Sequence, residues 1–287
     1  MAAQETVSHA AAVVNRRLVN FLLFAAVAVI AAVLLIGKGQ PRIPATLTRM
    51  DPATVQRITV QRQRQPALQF IREDNSWRMT APVPARASTA RINAILHLLQ
   101  TPGRDRIAAA GTNLHTLNLD PAPVTVRMND AVFRLGGTDP VAKLRYVLYE
   151  ATVYLVDDSL FYQLTQPADF FISTRLLPGA ASVSRIAYPG HVLYLDGDAW
   201  HSLPALAGQA AAATAAAWQR AEAVQVLTYR QGPAVGQIVI RAGATDVAFA
   251  IEPAGDSLLL ARRDLGVAYQ LSKDTAASLG LGKYIHK

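Results

Sequence analysis

One succession of signals occurs twice in this chain, and it limits the possible folds more than any single motif does. The first copy opens with the alternating strand Val55-Gln-Arg-Ile-Thr-Val60. Leu68 to Arg72 returns, Asp74-Asn75 turns, and Trp77 begins a third strand that Pro82 and Pro84 break. Ser88 then precedes a helical spacing of Ile92, Ile95, Leu96 and Leu99. The second copy opens with Val183-Ser-Arg-Ile-Ala187, returns over His191 to Leu195 and turns at Asp196-Gly197-Asp198. Its third strand begins at Trp200, Pro204 breaks it, and an alanine-rich helix carrying Trp218 follows, from near Ala205 to Ala221. Each copy then becomes a meander. Residues 124–127, 132–135, 145–149 and 152–156 form the first, and 237–241, 246–251, 257–261 and 266–271 the second. Both copies turn helical again, after Asp157-Asp158 and after Ser272.

This order predicts an α+β fold: an N-terminal transmembrane helix followed by two tandem α+β modules, each a curled antiparallel sheet with a helix on one face. The expected divisions are a cytoplasmic tail over 1–17, the membrane helix over 18–36, a proline-marked linker over 37–54, and modules over 55–180 and 181–287.

The membrane expectation rests on Leu18 to Ile36, LVNFLLFAAVAVIAAVLLI, which carries no charge. As a helix this run would be about 28 Å long, close to the bilayer's hydrocarbon thickness. A cleaved signal peptide is the rival, but its apolar core is shorter and ends in a small-x-small site, whereas Gly37-Lys38-Gly39 has a lysine in the middle. The positive charges flank both sides: Arg16 and Arg17 before, Lys38, Arg42 and Arg49 after. Taken strictly they lean against a cytoplasmic N-terminus, yet long domains translocate largely regardless of charge. The short N-terminal tail, together with the family resemblance given below, sets the expectation of a single pass through the cytoplasmic membrane with the C-terminal part in the periplasm. Ala28 and Ala32 form a small-xxx-small pair suited to packing on another helix in the bilayer.

Formal net charge is +8, with a pI near 10.0. The basic residues are scattered, and the densest run, Arg57 to Arg64, falls on strand and turn without interleaved aromatics. That argues against nucleic acid as a partner. The chain has no cysteine, which removes disulfides, thiolate nucleophiles and cysteine-based metal sites.

Catalytic and cofactor motifs are equally lacking. None of the six histidines forms an H-x-x-x-H pair. His191, Asp196, Asp198 and His201 surround one hairpin, but Asp-Gly-Asp there reads as turn chemistry rather than a metal site. Asp157-Asp158, with Glu150 distant, reads as a turn and helix cap rather than a carboxylate pair. Gly136-Gly137-Thr138 and Gly280-Leu-Gly-Lys283 do not fit a phosphate loop. No enzyme, no cofactor and no metal site is expected. Tyr146, Tyr149, Tyr154, Phe161 and Tyr162 cluster on the first meander. They are core or cross-strand residues, or, for the first three together with Ala28 and Ala32, contacts for a partner.

The order of signals from Val55 to Leu281 resembles the domain of unknown function 4340 family of bacterial proteins. The resemblance is carried by Ser76-Trp77-Arg78-Met79-Thr80-Ala81-Pro82, Leu98-Leu99, Leu117-Asn118-Leu119-Asp120-Pro121, Leu135-Gly136-Gly137, Val153-Tyr154-Leu155-Val156 and Arg175-Leu176-Leu177. Asn118 stands where the family usually has glycine, and Ser173-Thr174-Arg175 departs from its pattern. The resemblance implies an N-terminal anchor, an extracytoplasmic domain and an association with gliding-type ABC transport systems. It supplies no catalytic residues. The expected function is thus a non-enzymatic, membrane-anchored accessory or scaffold subunit, with the lipid bilayer and transporter permease subunits as partners. The alternative is an extracytoplasmic binding protein for an anionic glycan or lipid surface.

Overall fold

Period-two burial builds the strands. In β1 (Arg57–Arg62) the buried residues are Ile58, Val60 and Arg62, alternating with more exposed ones. The same pairing logic continues through β2 (Gln65–Glu73), β3 (Ser76–Ala81) and the two-residue β4 (Ala85–Arg86). Helix α1 (Thr89–Leu96) interrupts, and the chain resumes with β5 (Arg106–Ala108), β6 (Val124–Met128), β7 (Ala131–Thr138), β8 (Arg145–Tyr149), β9 (Thr152–Val156) and helix α2 (Ser159–Leu164). These strands form one antiparallel sheet in the order β4-β3-β2-β1-β6-β7-β8-β9-β5.

The second sheet follows from β10 (Val183–Tyr188), β11 (His191–Asp196), β12 (Ala199–Leu203), helix α3 (Ala210–Arg220), β13 (Gln225–Thr228), β14 (Gly236–Ala242), β15 (Thr245–Ala254), β16 (Ser257–Arg262), β17 (Val267–Leu271) and helix α4 (Lys273–Ser278). Its order is β12-β11-β10-β14-β15-β16-β17-β13. Without β4, the first sheet has the same order, strand for strand. In both, the strand that follows the helix returns to the far edge, β5 beside β9 and β13 beside β17. The turns correspond as well: Asp74 (φ 52°) and Gly197 (φ 56°) take the left-handed conformation in the two second hairpins.

Helix α1 buries Ile92, Ile95 and Leu96, and α3 buries Ala211, Ala215 and Trp218. A continuous buried cluster runs from Val55 and Phe70 in the first sheet's region to Phe249 and Leu271 in the second's. Residues 45–287 accordingly form one compact unit that holds both sheets, and residues 1–44 are assigned to another.

The computed structural model describes residues 46–177, 182–205 and 210–285, together with Phe21, Phe24, Ala25, Val27 and Ala28. It corrects the expected fold class. The chain is mostly β, with 44% of residues in strands and 21% in helices, arranged as two antiparallel sheets. Among the described residues no helix is long and apolar enough to cross a membrane. The expected transmembrane helix at Leu18–Ile36 falls mostly outside the described residues, and the five described there are helical and exposed. The α+β reading gave the helices too much weight. Among the described residues they are short pieces, the longest running from Ala210 to Arg220, and each covers only part of a sheet.

Candidate functional site

Residues 172–177 carry the chain from the first sheet to the second, and both sides of this crossing are stitched by backbone. Ile172 bridges Ala87, and Ser173 N–H donates to Arg86 O at 2.8 Å. Arg175 bridges Glu222, Leu176 N–H donates to Ala221 O at 3.2 Å, and Ala223 N–H donates to Thr174 O at 2.8 Å. Leu176 and Leu177 are buried, which fixes the crossing as part of the core. Asp169 adds a further tie, accepting both the N–H and the hydroxyl of Thr228, at 2.7 and 2.9 Å.

A groove of about 730 Å³ opens at this junction. Its floor is apolar: Trp77 and Tyr269 are only 4% and 5% exposed, beside buried Leu176 and Leu177. Its rim is basic, with Arg78, Arg86 and Arg175 all exposed. Arg78 reaches Glu73 at 3.6 Å, and Arg175 reaches Glu222 at 3.1 Å. Arg262 is clasped by Asp264 through two bonds of 2.9 and 2.7 Å, and these hold the Asp264 carboxyl below its usual range. Among the described residues no carboxylate pairs with Arg86. Burial pushes the Tyr269 hydroxyl upward, so it stays protonated at neutral pH.

Two other hollows have been built around structural charge. One of about 380 Å³ is lined by His97, Arg145, Asp157, Ser159 and Phe161. Arg145 is nearly buried; it donates to Asp158, to Gly136 O and to Thr138, and lies over the Phe161 ring at 3.5 Å. Asp157 accepts Ser159 N–H at 2.9 Å, and bonds from the Ser159 side chain and backbone lower its pKa. Among the described residues no hydrogen bond joins His97 to Ser159, so the nucleophile–base contact of a triad is missing. The other hollow, about 650 Å³, lies on the second sheet against Ala248, Ala250 and Ala261. Nearby Glu252 is buried and accepts Tyr229 Oη at 2.8 Å, with Arg263 at 3.5 Å.

The residues singled out from sequence are not gathered into one surface. Tyr149 stacks on Phe133 at 4.7 Å, and Tyr154 is buried beneath Arg106, on the face shared with Val147. Tyr146 points to the opposite face, packing by Leu148 and donating its hydroxyl to Asp139 at 2.7 Å. Ala28 is helical and exposed, whereas Ala32 lies outside the described residues. His191 stacks on Tyr188 at 4.3 Å and His201 on Tyr194 at 5.6 Å. Among the described residues no three His, Asp or Glu side chains gather to hold a metal ion. Gly136-Gly137 lies within β7, where Gly137 N–H donates to Leu117 O at 2.8 Å. Sequence reasoning missed the rim of the junction groove, because Arg175 lies far along the chain from Arg78 and Arg86, which only the β3–β4 pairing sets opposite each other. The available signal was Ser76-Trp77-Arg78 and Arg175-Leu176-Leu177, two stretches that meet there.

A family model described as a domain of unknown function, DUF4340, matches residues 77–230. That span begins at the groove's Trp77 and includes the whole crossing. No curated protein matches the chain, and no solved structure matches it.

Proposed function

Because the chain belongs to the DUF4340 family, we propose that it is a non-enzymatic accessory or scaffold subunit of an envelope membrane complex, with the permease subunits of an ABC-type transporter as partners. The observation that carries this reading is how charge is distributed. Buried Arg145 and Glu252 are consumed in pairs that hold the sheets, while the arginine-rimmed junction groove is open to solvent. A catalytic site asks instead for titratable groups converging on one reacting position. A two-sheet body with an open, charged junction suits contact with another protein. The reading places the folded part in the periplasm beside the cytoplasmic membrane. The test is affinity purification of the full chain from mild-detergent membranes, followed by mass spectrometry. Permease and ATPase subunits at stoichiometric yield are the expected result, and recovery of the free protein alone would overturn it. The rival, binding of an anionic glycan or lipid surface, draws on the net charge of +8. It requires the purified chain to sediment with phosphatidylglycerol vesicles at low salt and to be released at high salt.

A further inference from the structure

We infer that the junction groove is a docking site for a short acidic segment of a partner protein, one that presents carboxylates flanked by apolar side chains. The inference deepens, and rests on, the reading of the chain as an accessory subunit.

Its first ground is the rim. Arg86 is exposed and pairs with no carboxylate among the described residues. Arg78 holds Glu73 only loosely, at 3.6 Å, with both side chains about half exposed. Such a pair contributes little to folding and is readily exchanged for a ligand carboxylate. Guanidinium groups bind carboxylates through two parallel hydrogen bonds, which gives geometry as well as attraction. Arg175, on the crossing, lines the same groove, and its pair with Glu222 at 3.1 Å is half exposed and so likewise exchangeable for a ligand carboxylate.

The second ground is the floor. Trp77, Leu177 and Tyr269 present narrow apolar edges rather than open ring faces at the base of a hollow whose 730 Å³ falls within the span of specific ligand sites. Nucleic acid would need exposed ring faces for base stacking, and these two rings are buried to within 5%. A flat bilayer could touch the rim but could not reach a floor recessed between two sheets. A peptide side chain can reach it while its neighbours meet the arginines.

The test uses the full chain in mild detergent and a fluorescein-labelled peptide of alternating glutamate and leucine, read by fluorescence anisotropy. A lysine–leucine peptide is the charge control, and phosphatidylglycerol vesicles are the lipid control. The expected result is salt-sensitive binding of the acidic peptide alone, weakened about tenfold or more by Arg86→Glu. Arg127→Glu, at an exposed arginine on β6 outside the groove, should leave binding unchanged. Circular dichroism checks that each variant is folded, and Arg86→Ala serves if the reversal is not. No peptide binding, or equal weakening by Arg127→Glu, would overturn the inference. So would vesicles that bind more tightly than the peptide and lose that binding in Arg86→Glu. Failure of the groove is separable from failure of the accessory reading. A wild-type pull-down that recovers partners, with Arg86→Glu recovering them equally, sinks the groove and leaves the subunit. A wild-type pull-down that recovers nothing sinks the subunit, and the peptide titration then judges the groove by itself.

Discussion

Asn118 occupies a left-handed backbone conformation, φ 53°, that glycine adopts freely and asparagine tolerates better than other side chains. That accounts for asparagine at a position where the resembling family usually has glycine. The loop it shapes presses on a second signature of the same resemblance. Leu117 O accepts Gly137 N–H at 2.8 Å, and a Cβ on Gly136 would collide with Leu117 O and come within 2.8 Å of Leu119 Cδ2. Gly136 is therefore required for close approach rather than for its own torsion. Asn118→Gly should leave stability within about 0.5 kcal/mol, while Asn118→Val should lower it by about 1–2 kcal/mol through strain at positive φ. Gly136→Ala should lower it by about 1–3 kcal/mol by overpacking. Urea denaturation of the three variants measures all of this, and a neutral Gly136→Ala would show that the loop moves aside. The departure at Asn118 was visible in the sequence. That Leu135-Gly136-Gly137 lies beneath it was not, because the two stretches are joined only by the fold.

Among the elements, those around the second sheet are fastened by one buried hydrogen-bonded chain. Trp218 Nε1 on α3 donates to Tyr188 Oη on β10 at 2.6 Å, and Tyr188 Oη donates to Leu279 O, just past α4, at 2.8 Å. Tyr188→Phe keeps the ring and strands both partners, which should cost about 1–3 kcal/mol. Burial pushes the Tyr188 hydroxyl far above its ordinary value of 10.0. The sign follows from that direction. The folded chain holds this proton more tightly than the unfolded chain, so the stabilisation is complete below pH 10 and is lost as pH rises beyond it. Thermal melts from pH 9 to 11.5 should show a steeper alkaline fall in wild type than in Tyr188→Phe; parallel curves would refute the linkage. Strands such as β1, β6 and β14 were legible because their side chains alternate. β4, β5 and β13 were not, since two to four residues carry no period, and β5 is exposed throughout. Only pairing with β9 makes β5 a strand. Caps were partly legible: Ser272 accepts Thr275 N–H at 3.2 Å, whereas Ser88 makes no side-chain capping bond.

For the whole molecule, the doubled order of signals became a doubled strand order, because each copy repeats the hairpins that set which strands are neighbours. How the copies join was hidden, since 172–177 has no period and pairs with partners on both sides. That crossing decides whether the sheets unfold together. Burying a leucine contributes about 1.5–3 kcal/mol, and Leu176 and Leu177 are both buried where the two sheets meet. A shared core of this kind couples two sheets that could otherwise open separately. Calorimetry of the full chain should therefore show one transition for residues 45–287, with matching calorimetric and van't Hoff enthalpies. The double variant Leu176→Ser/Leu177→Ser removes that apolar area and adds hydroxyls at the junction, so it should split the transition in two. A variant that still melts once would relocate the coupling to the Asp169–Thr228 clasp, where Asp169→Ala removes both bonds that tie the first sheet's exit to β13. If that change splits the melt and the leucine change does not, polar pairing rather than shared apolar burial makes the two sheets one body.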